Sequence, residues 1–261
     1  MPAVPRVAQP LRADYRRLSD LCPVLRVRLL AAGEPPPPAA MGWYSAVELV
    51  RDPQALDAAL AGEAARIAAA DGTAPRPHVT ASRLLHHYLW SVCVLIAGPW
   101  HLGRRVPTID PADLWLHAPT GDLALRPRDH ITLPGDDELR AELRAAVVTH
   151  VEPLLTAFAA PTRRGTRALW GMVTDDLASA IWYLGRMLGE EDAAVAAAEA
   201  VLPGGTLPLP GAAAFRRLTG ADGREHITRT RLGCCLYYAV GPAPACLTCP
   251  RTSDEERLHR L

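Results

Sequence analysis

Apolar residues recur at helical spacing through most of the middle of the chain. Leu139, Leu143, Val147, Val151, Leu154 and Phe158 follow one another every three or four positions, which predicts a helix with one apolar stripe, capped by Asp136 and kinked at Pro153. A second series, Leu169, Val173, Leu177, Ile181, Leu184 and Leu188, predicts another such helix ending before Gly189. Asp52-Pro53 supplies an N-cap and a first-turn proline for an Ala-rich helix reaching about Ala70, stopped by Asp71-Gly72. Residues 79–97 are apolar nearly all round, as a central buried helix requires, and Gly98-Pro99 is expected to end them. Shorter helices are predicted near 13–30 and 190–202.

The period changes to two at Asp113-Leu-Trp-Leu-His117 and at Leu123-Ala-Leu125, on either side of Pro119-Thr-Gly-Asp122, so a β-hairpin is expected over 113–126. Pro35 to Pro38 read as a short polyproline linker. A second break, Pro203-Gly-Gly-Thr-Leu-Pro-Leu-Pro-Gly211, separates a helical body, 1–210, from a C-terminal region, 211–261, expected to pack on it within one globular unit. The expected fold class is mainly α with a small β-hairpin (α+β), and no internal repeat is present.

Charge narrows the functional classes. The 261 residues carry 28 basic and 28 acidic side chains, and all the basic ones are arginine. Zero net charge argues against a dedicated nucleic-acid or membrane-surface binder, which needs a cationic excess. The most apolar stretch, 84–97, contains His86 and His87 and falls short of the roughly 20 apolar residues that cross a bilayer, so no membrane span is expected. Residues 1–17 have no continuous apolar core of the kind a secretory signal carries, and a soluble cytoplasmic protein is the expectation.

Cysteine distribution is the most informative feature. Cys22 and Cys93 stand alone in apolar surroundings and read as inert packing residues, while Cys234, Cys235, Cys246 and Cys249 form the pattern C-C-x10-C-x2-C. Four thiolates are the ligand set of a [2Fe–2S] cluster, a [4Fe–4S] cluster, a rubredoxin-like iron or a structural zinc, and a reducing compartment disfavours disulfides. Neighbouring side chains on an extended segment point apart, so the adjacent pair converges only if the backbone bends, a freedom Gly233 can supply. A wider two-iron cluster tolerates an adjacent pair better than a compact tetrahedral ion does, which leaves zinc as the less natural alternative. Gly241-Pro-Ala-Pro244 is a turn able to bring the second pair back to the first.

The tail resembles the C-terminal signature of the FhuF-like ferric-siderophore reductases. The likeness covers the four cysteines with both spacings, the upstream Arg231, Leu236-Tyr237-Tyr238 and the Cys249-Pro250 ending; outside the tail it is diffuse, chiefly the apolar helix near residue 90 and Leu169-Trp170-Gly171. The resemblance implies that Cys234, Cys235, Cys246 and Cys249 ligate a [2Fe–2S] cluster. It further implies an oxidoreductase that passes one electron to the Fe(III) of a hydroxamate-type siderophore, docked between tail and body. Aerobactin-type synthetases carry a related C-terminal region, but this chain is too short to hold their synthetase portion as well. The chain lacks a glycine-rich dinucleotide fingerprint, a P-loop or an obvious flavin site, so the electron is expected from a ferredoxin, a flavoprotein or a small reductant. The competing expectations are a non-enzymatic protein stapled by structural zinc, and a siderophore-interaction domain whose cluster senses iron or redox state.

Other residues receive blander readings. Arg231 either stabilises charge added to the cluster or belongs, like Arg229, to a solvated approach to the tail. His226 reads as a surface residue rather than a hydrogen-bond donor to the cluster. His86 and His87 are adjacent on a helix and so cannot form a metal pair; both read as satisfied core or boundary residues. Trp90, Trp100, Trp170 and Trp182 are expected in packing rather than in a chelate pocket. No serine–histidine–acid set or H-E-x-x-H motif supports hydrolysis.

Overall fold

The protein is represented by a computed structural model that describes residues 8–241 and 244–260; residues 1–7, 242–243 and 261 lie outside it, and with them parts of the expected N-terminal segment and of the 241–244 turn. Helix makes up 56% and strand 12%, so the fold is mainly α (α+β). In chain order the elements are α1 (Ala8–Leu21), β1 (Val27–Leu29), β2 (Trp43–Ser45), α2 (Ala46–Arg51), α3 (Pro53–Asp71) and α4 (Pro77–Gly103). Then come β3 (Val106–Thr108), β4 (Leu114–His117), β5 (Leu123–Leu125), β6 (Asp129–Ile131), α5 (Asp136–Thr162), α6 (Thr166–Leu188) and α7 (Glu191–Val201). The C-terminal region adds β7 (Phe215–Thr219), β8 (Glu225–Arg229) and α8 (Asp254–His259).

Helix α4 is the axis of the body, packed by α1, α3, α5 and α6, and every side chain from Val92 to Ala97 is buried. Its apolar surround therefore reflects neighbours on all sides. The helix runs on through Gly98-Pro99 instead of stopping there. Proline removes one main-chain donor, yet the following turn still packs Trp100 and Leu102 against the core. Gly98 is required by close approach: a Cβ there would meet Leu18 Cδ2 of α1 at 2.7 Å.

The expected hairpin is present as β4 and β5, antiparallel with Leu114 opposite Leu125, inside a four-stranded sheet of order β1-β5-β4-β2. Strand β1 pairs parallel with β5, so the helix expected over 13–30 ends at Leu21, before Cys22-Pro23, and its last part becomes strand. The stripes predicted for α5 and α6 are buried except at Leu188, which is half-buried, and Gly135 rather than Asp136 holds the N-cap position of α5. Among the described residues α5 alone is long and apolar enough to cross a membrane by length and composition. Its stripe from Leu139 to Phe158 faces the core.

His150 on α5 is enclosed, its two ring nitrogens 2.9 Å from the Ile109 carbonyl and 2.9 Å from the Tyr88 hydroxyl. The carbonyl only accepts, so Nδ1 carries the hydrogen and the Tyr88 hydroxyl donates to Nε2 of a neutral ring. Burial holds this imidazole below its ordinary value, and does the same to His87. Above the unfolded-state value of 6.5 neither state is protonated; below it the unfolded chain takes up protons that the folded chain refuses. Stability is therefore expected to fall as pH drops below that point, by up to about 1.4 kcal/mol per pH unit for each such histidine. Urea unfolding at a series of pH values checks this, and His150→Gln should flatten the slope while lowering stability at neutral pH.

Candidate metal centre

The C-terminal region is built on the middle of α6. Strands β7 and β8 form an antiparallel hairpin with Phe215 opposite Arg229, and the chain leaving β8 crosses α6 beside Asp175 and Asp176. Both carboxylates have no solvent exposure. Asp175 Oδ1 accepts from Arg229 Nη2 at 2.7 Å and from the Leu232 N–H at 3.0 Å, and Oδ2 accepts from the Gly233 N–H at 2.8 Å. Arg229, also fully buried, donates further to the carbonyls of Ala213 at 3.1 Å and Asp175 at 3.0 Å. The expected solvated approach is thus corrected. Arg229 is an internal strut, held inside because its charge and most of its donors are matched.

Arg231 is buried as well. Its Nη2 donates to Asp176 Oδ1 at 2.6 Å, and His86 Nδ1 faces the same carboxylate oxygen at 2.9 Å. Burial raises the Asp175 carboxyl above its usual range even beside Arg229 and Arg231. Burial opposes ionisation of Asp176 too, but His86 and Arg231 together hold it below that range.

These contacts set the first cysteine pair. The bend expected at Gly233 lies elsewhere: Gly233 stays out of the left-handed region, and the reversal is made by Leu236 at φ 61°. Gly233 instead lies close against α6, where a Cβ would meet Met172 Cγ at 3.3 Å. Arg164, from the α5–α6 connection, donates through Nη2 to the Cys234 carbonyl and through Nε to Ser82 Oγ at 3.1 Å. With the chain reversed, the Leu236 N–H points at Cys234 Sγ at 3.4 Å, and the Tyr237 N–H bonds the Cys235 sulfur.

The second pair is held from α8, whose Ser253 cap and three first-turn acids explain a short helix so near the end. Arg257, 2% exposed, donates to the carbonyls of Leu247 at 2.6 Å and Cys249 at 2.9 Å. The Cys249 N–H closes a turn on the Cys246 carbonyl at 2.9 Å, and the Arg251 N–H approaches Cys249 Sγ at 3.5 Å. One further bond, from the Arg231 N–H to the Thr248 carbonyl at 3.0 Å, ties the two loops together.

All four predicted cysteines border one cavity, together with Arg231, Tyr237 and Tyr238. Cys235 and Cys249 are buried, whereas Cys234 and Cys246 are half-buried, so one edge of the cavity faces outward. The hydrogen bond from Cys246 holds the Cys235 thiol far below its ordinary value, helped by His86, and pushes Cys246 up; burial raises Cys234. Among the described residues no three His, Cys, Asp or Glu side chains already converge as a site for a single metal ion.

The donor set suits a thiolate-ligated cluster on two counts. The Leu236 and Arg251 N–H groups lie 3.4 Å from Cys234 Sγ and 3.5 Å from Cys249 Sγ, and that of Tyr237 helps lower the Cys235 thiol, so peptide N–H groups face three of the four sulfurs. Arg231 Nε, on the cavity wall, is buried without a hydrogen-bond partner, and its nearest carboxylate oxygen, on Asp175, is 3.7 Å away. A guanidinium N–H left orphaned beside four sulfurs is matched by an anionic group between them.

The remaining residues fall away from the cavity. His86 bonds Asp176 and His87 bonds the Gly121 carbonyl at 2.9 Å, two unrelated partners, as their adjacency implied. His226 borders a separate groove with Trp182. Trp170 is in the core, Trp90 meets Tyr183 edge-on, Trp182 packs on Phe215, and Trp100 lies against the core. Burial raises the thiols of Cys22 and Cys93. Asp175 and Asp176 were missed in the sequence, although two adjacent acids between apolar positions of one helix are a signal; Arg164 and Arg257 left none. Neither a family model nor a curated protein matches this sequence.

Asp175→Asn leaves the Arg229 charge buried without a counter-charge. The expected cost is about 3–5 kcal/mol, with the loss concentrated in the tail. Urea unfolding and hydrogen exchange at the Leu232 and Gly233 amides measure it; unchanged protection there contradicts the lock.

Proposed function

We propose that this chain is a ferric-siderophore reductase of the FhuF-like kind, in which Cys234, Cys235, Cys246 and Cys249 hold a [2Fe–2S] cluster. The observation that carries the reading is the cavity itself: two loops, each clamped by its own buried charge, bring all four thiols to one wall with peptide N–H groups directed at three of the sulfurs. When bound, such a cluster supplies one electron at a time. The chain's part is to direct those N–H groups at the sulfurs and to leave the Cys234 and Cys246 edge open to a bulky chelate. Tyr237 and Tyr238, each 37% exposed, give that edge flat aromatic surface. One electron converts chelated Fe(III) to Fe(II), for which the hard oxygen donors of a hydroxamate have far lower affinity, and the metal is released in the cytoplasm. With no dinucleotide or flavin motif in the sequence, the electron comes from a separate donor.

Anaerobic purification tests this directly. A reddish-brown protein with about two irons and two sulfides per chain is expected, and a colourless zinc protein overturns the reading. Cys246→Ser should lose or distort the visible absorption and lower reduction of a ferric hydroxamate, followed with an Fe(II) trap, by more than ~100-fold. The circular dichroism of the helical body should not change.

A further inference from the structure

The opening of the cysteine cavity carries arginines without counter-charges. The Arg83 guanidinium lies over the Tyr237 ring at 4.8 Å and that of Arg251 over Tyr238 at 4.4 Å, and both rings border the cavity. Arg164 reaches the Cys234 carbonyl, and Arg167 borders a separate groove lined by Leu232, which lies in the chain between Arg231 and Gly233 of the cavity wall. Among the described residues none of these four arginines forms an ion pair. Elsewhere pairing is common, as in Arg104–Asp136, Arg216–Asp254 and Arg217–Asp192. The walls of the cavity and of the groove contain no Asp or Glu, and the acids behind them, Asp175 and Asp176, are buried and already matched. Four arginines without an ion pair therefore lie at or beside this opening.

We infer that this arginine–tyrosine collar is the docking face for an acidic electron-transfer protein. The inference rests on the reading of the cavity as a redox site, and charge complementarity selects the partner. Stacking on tyrosine fixes each guanidinium plane while leaving its N–H groups free for carboxylates, so little side-chain freedom is lost on association. Arg83 and Arg251 lie over the tyrosines of the cavity that also contains the half-buried Cys234 and Cys246, where a donor's redox centre approaches most closely. A cluster held by Cys234, Cys235, Cys246 and Cys249 would accept the one electron that the donor loses, with no atom transferred.

The test uses the purified holoprotein, a small acidic [2Fe–2S] ferredoxin as the probe and reduced methyl viologen, a cation, as the comparison donor. Calorimetric binding of the ferredoxin, and its rate of reducing the protein, should each weaken at least ~10-fold between low and high salt. Arg83→Glu combined with Arg251→Glu should weaken both by a similar factor at low salt, with the visible spectrum and the methyl viologen rate retained. The neutral pair Arg83→Gln and Arg251→Gln should give a smaller loss of the same sign and serves if charge reversal disturbs folding. Binding and rates indifferent to salt and to both pairs overturn the inference. So does a loss confined to ferric-chelate turnover with methyl viologen, which makes the collar a site for an anionic chelate. A shifted reduction potential with ferredoxin binding intact also overturns it, since the arginines then only balance cluster charge. Absence of iron and sulfide defeats the reductase reading instead, and calorimetry, which needs no cluster, still judges the collar.

Discussion

The buried Arg229–Asp175 pair governs where the C-terminal region sits. Both side chains are fully enclosed, and their 2.7 Å contact removes two charges from water. Desolvation on that scale is tolerated because nearly every remaining donor and acceptor is used: Arg229 also bonds two carbonyls, and Asp175 takes the amides of Leu232 and Gly233. Such a pair adds little net stability. Its effect is to fix register, since sliding the tail by one residue along α6 strands a charge inside the protein.

From that anchor the two cysteine loops are held by complementary means. A carboxylate grips peptide N–H groups before the first pair, and the Arg257 guanidinium grips peptide carbonyls across the second. Each loop then turns its own N–H groups toward sulfur. The arrangement buries Cys235 and Cys249 but leaves Cys234 and Cys246 half-buried, so a redox centre held there would have one edge toward the surface. The same geometry leaves Arg83 and Arg251 stacked on tyrosines at the rim. In the proposed reading, substrate and donor reach one edge from outside.

The helical body serves this site from a distance. Central α4 contributes His86 to Asp176 and Ser82 to Arg164, and the α5–α6 connection contributes Arg164 itself. A helix that stopped at Gly98-Pro99 would lose the packing of Trp100 and Leu102 against the core.

Much of the body could be read from the chain because its signals are local. Apolar spacing marked α5 and α6, Asp52-Pro53 marked α3, and period-two alternation marked β4 and β5. The hairpin β7–β8 was equally local, with Asp222-Gly223 at its turn, yet mixed arginines along β7 masked its alternation. Cysteine spacing likewise identified four residues that share one cavity. The sequence by itself thus determined the helices and the thiols. Tertiary structure alone decided that Arg229 is internal, that the chain turns at Leu236 rather than Gly233, and that Asp175 and Asp176 hold the tail. Those outcomes depend on partners 54 to 58 residues apart along the chain, and a buried charge is recognisable only from what encloses it.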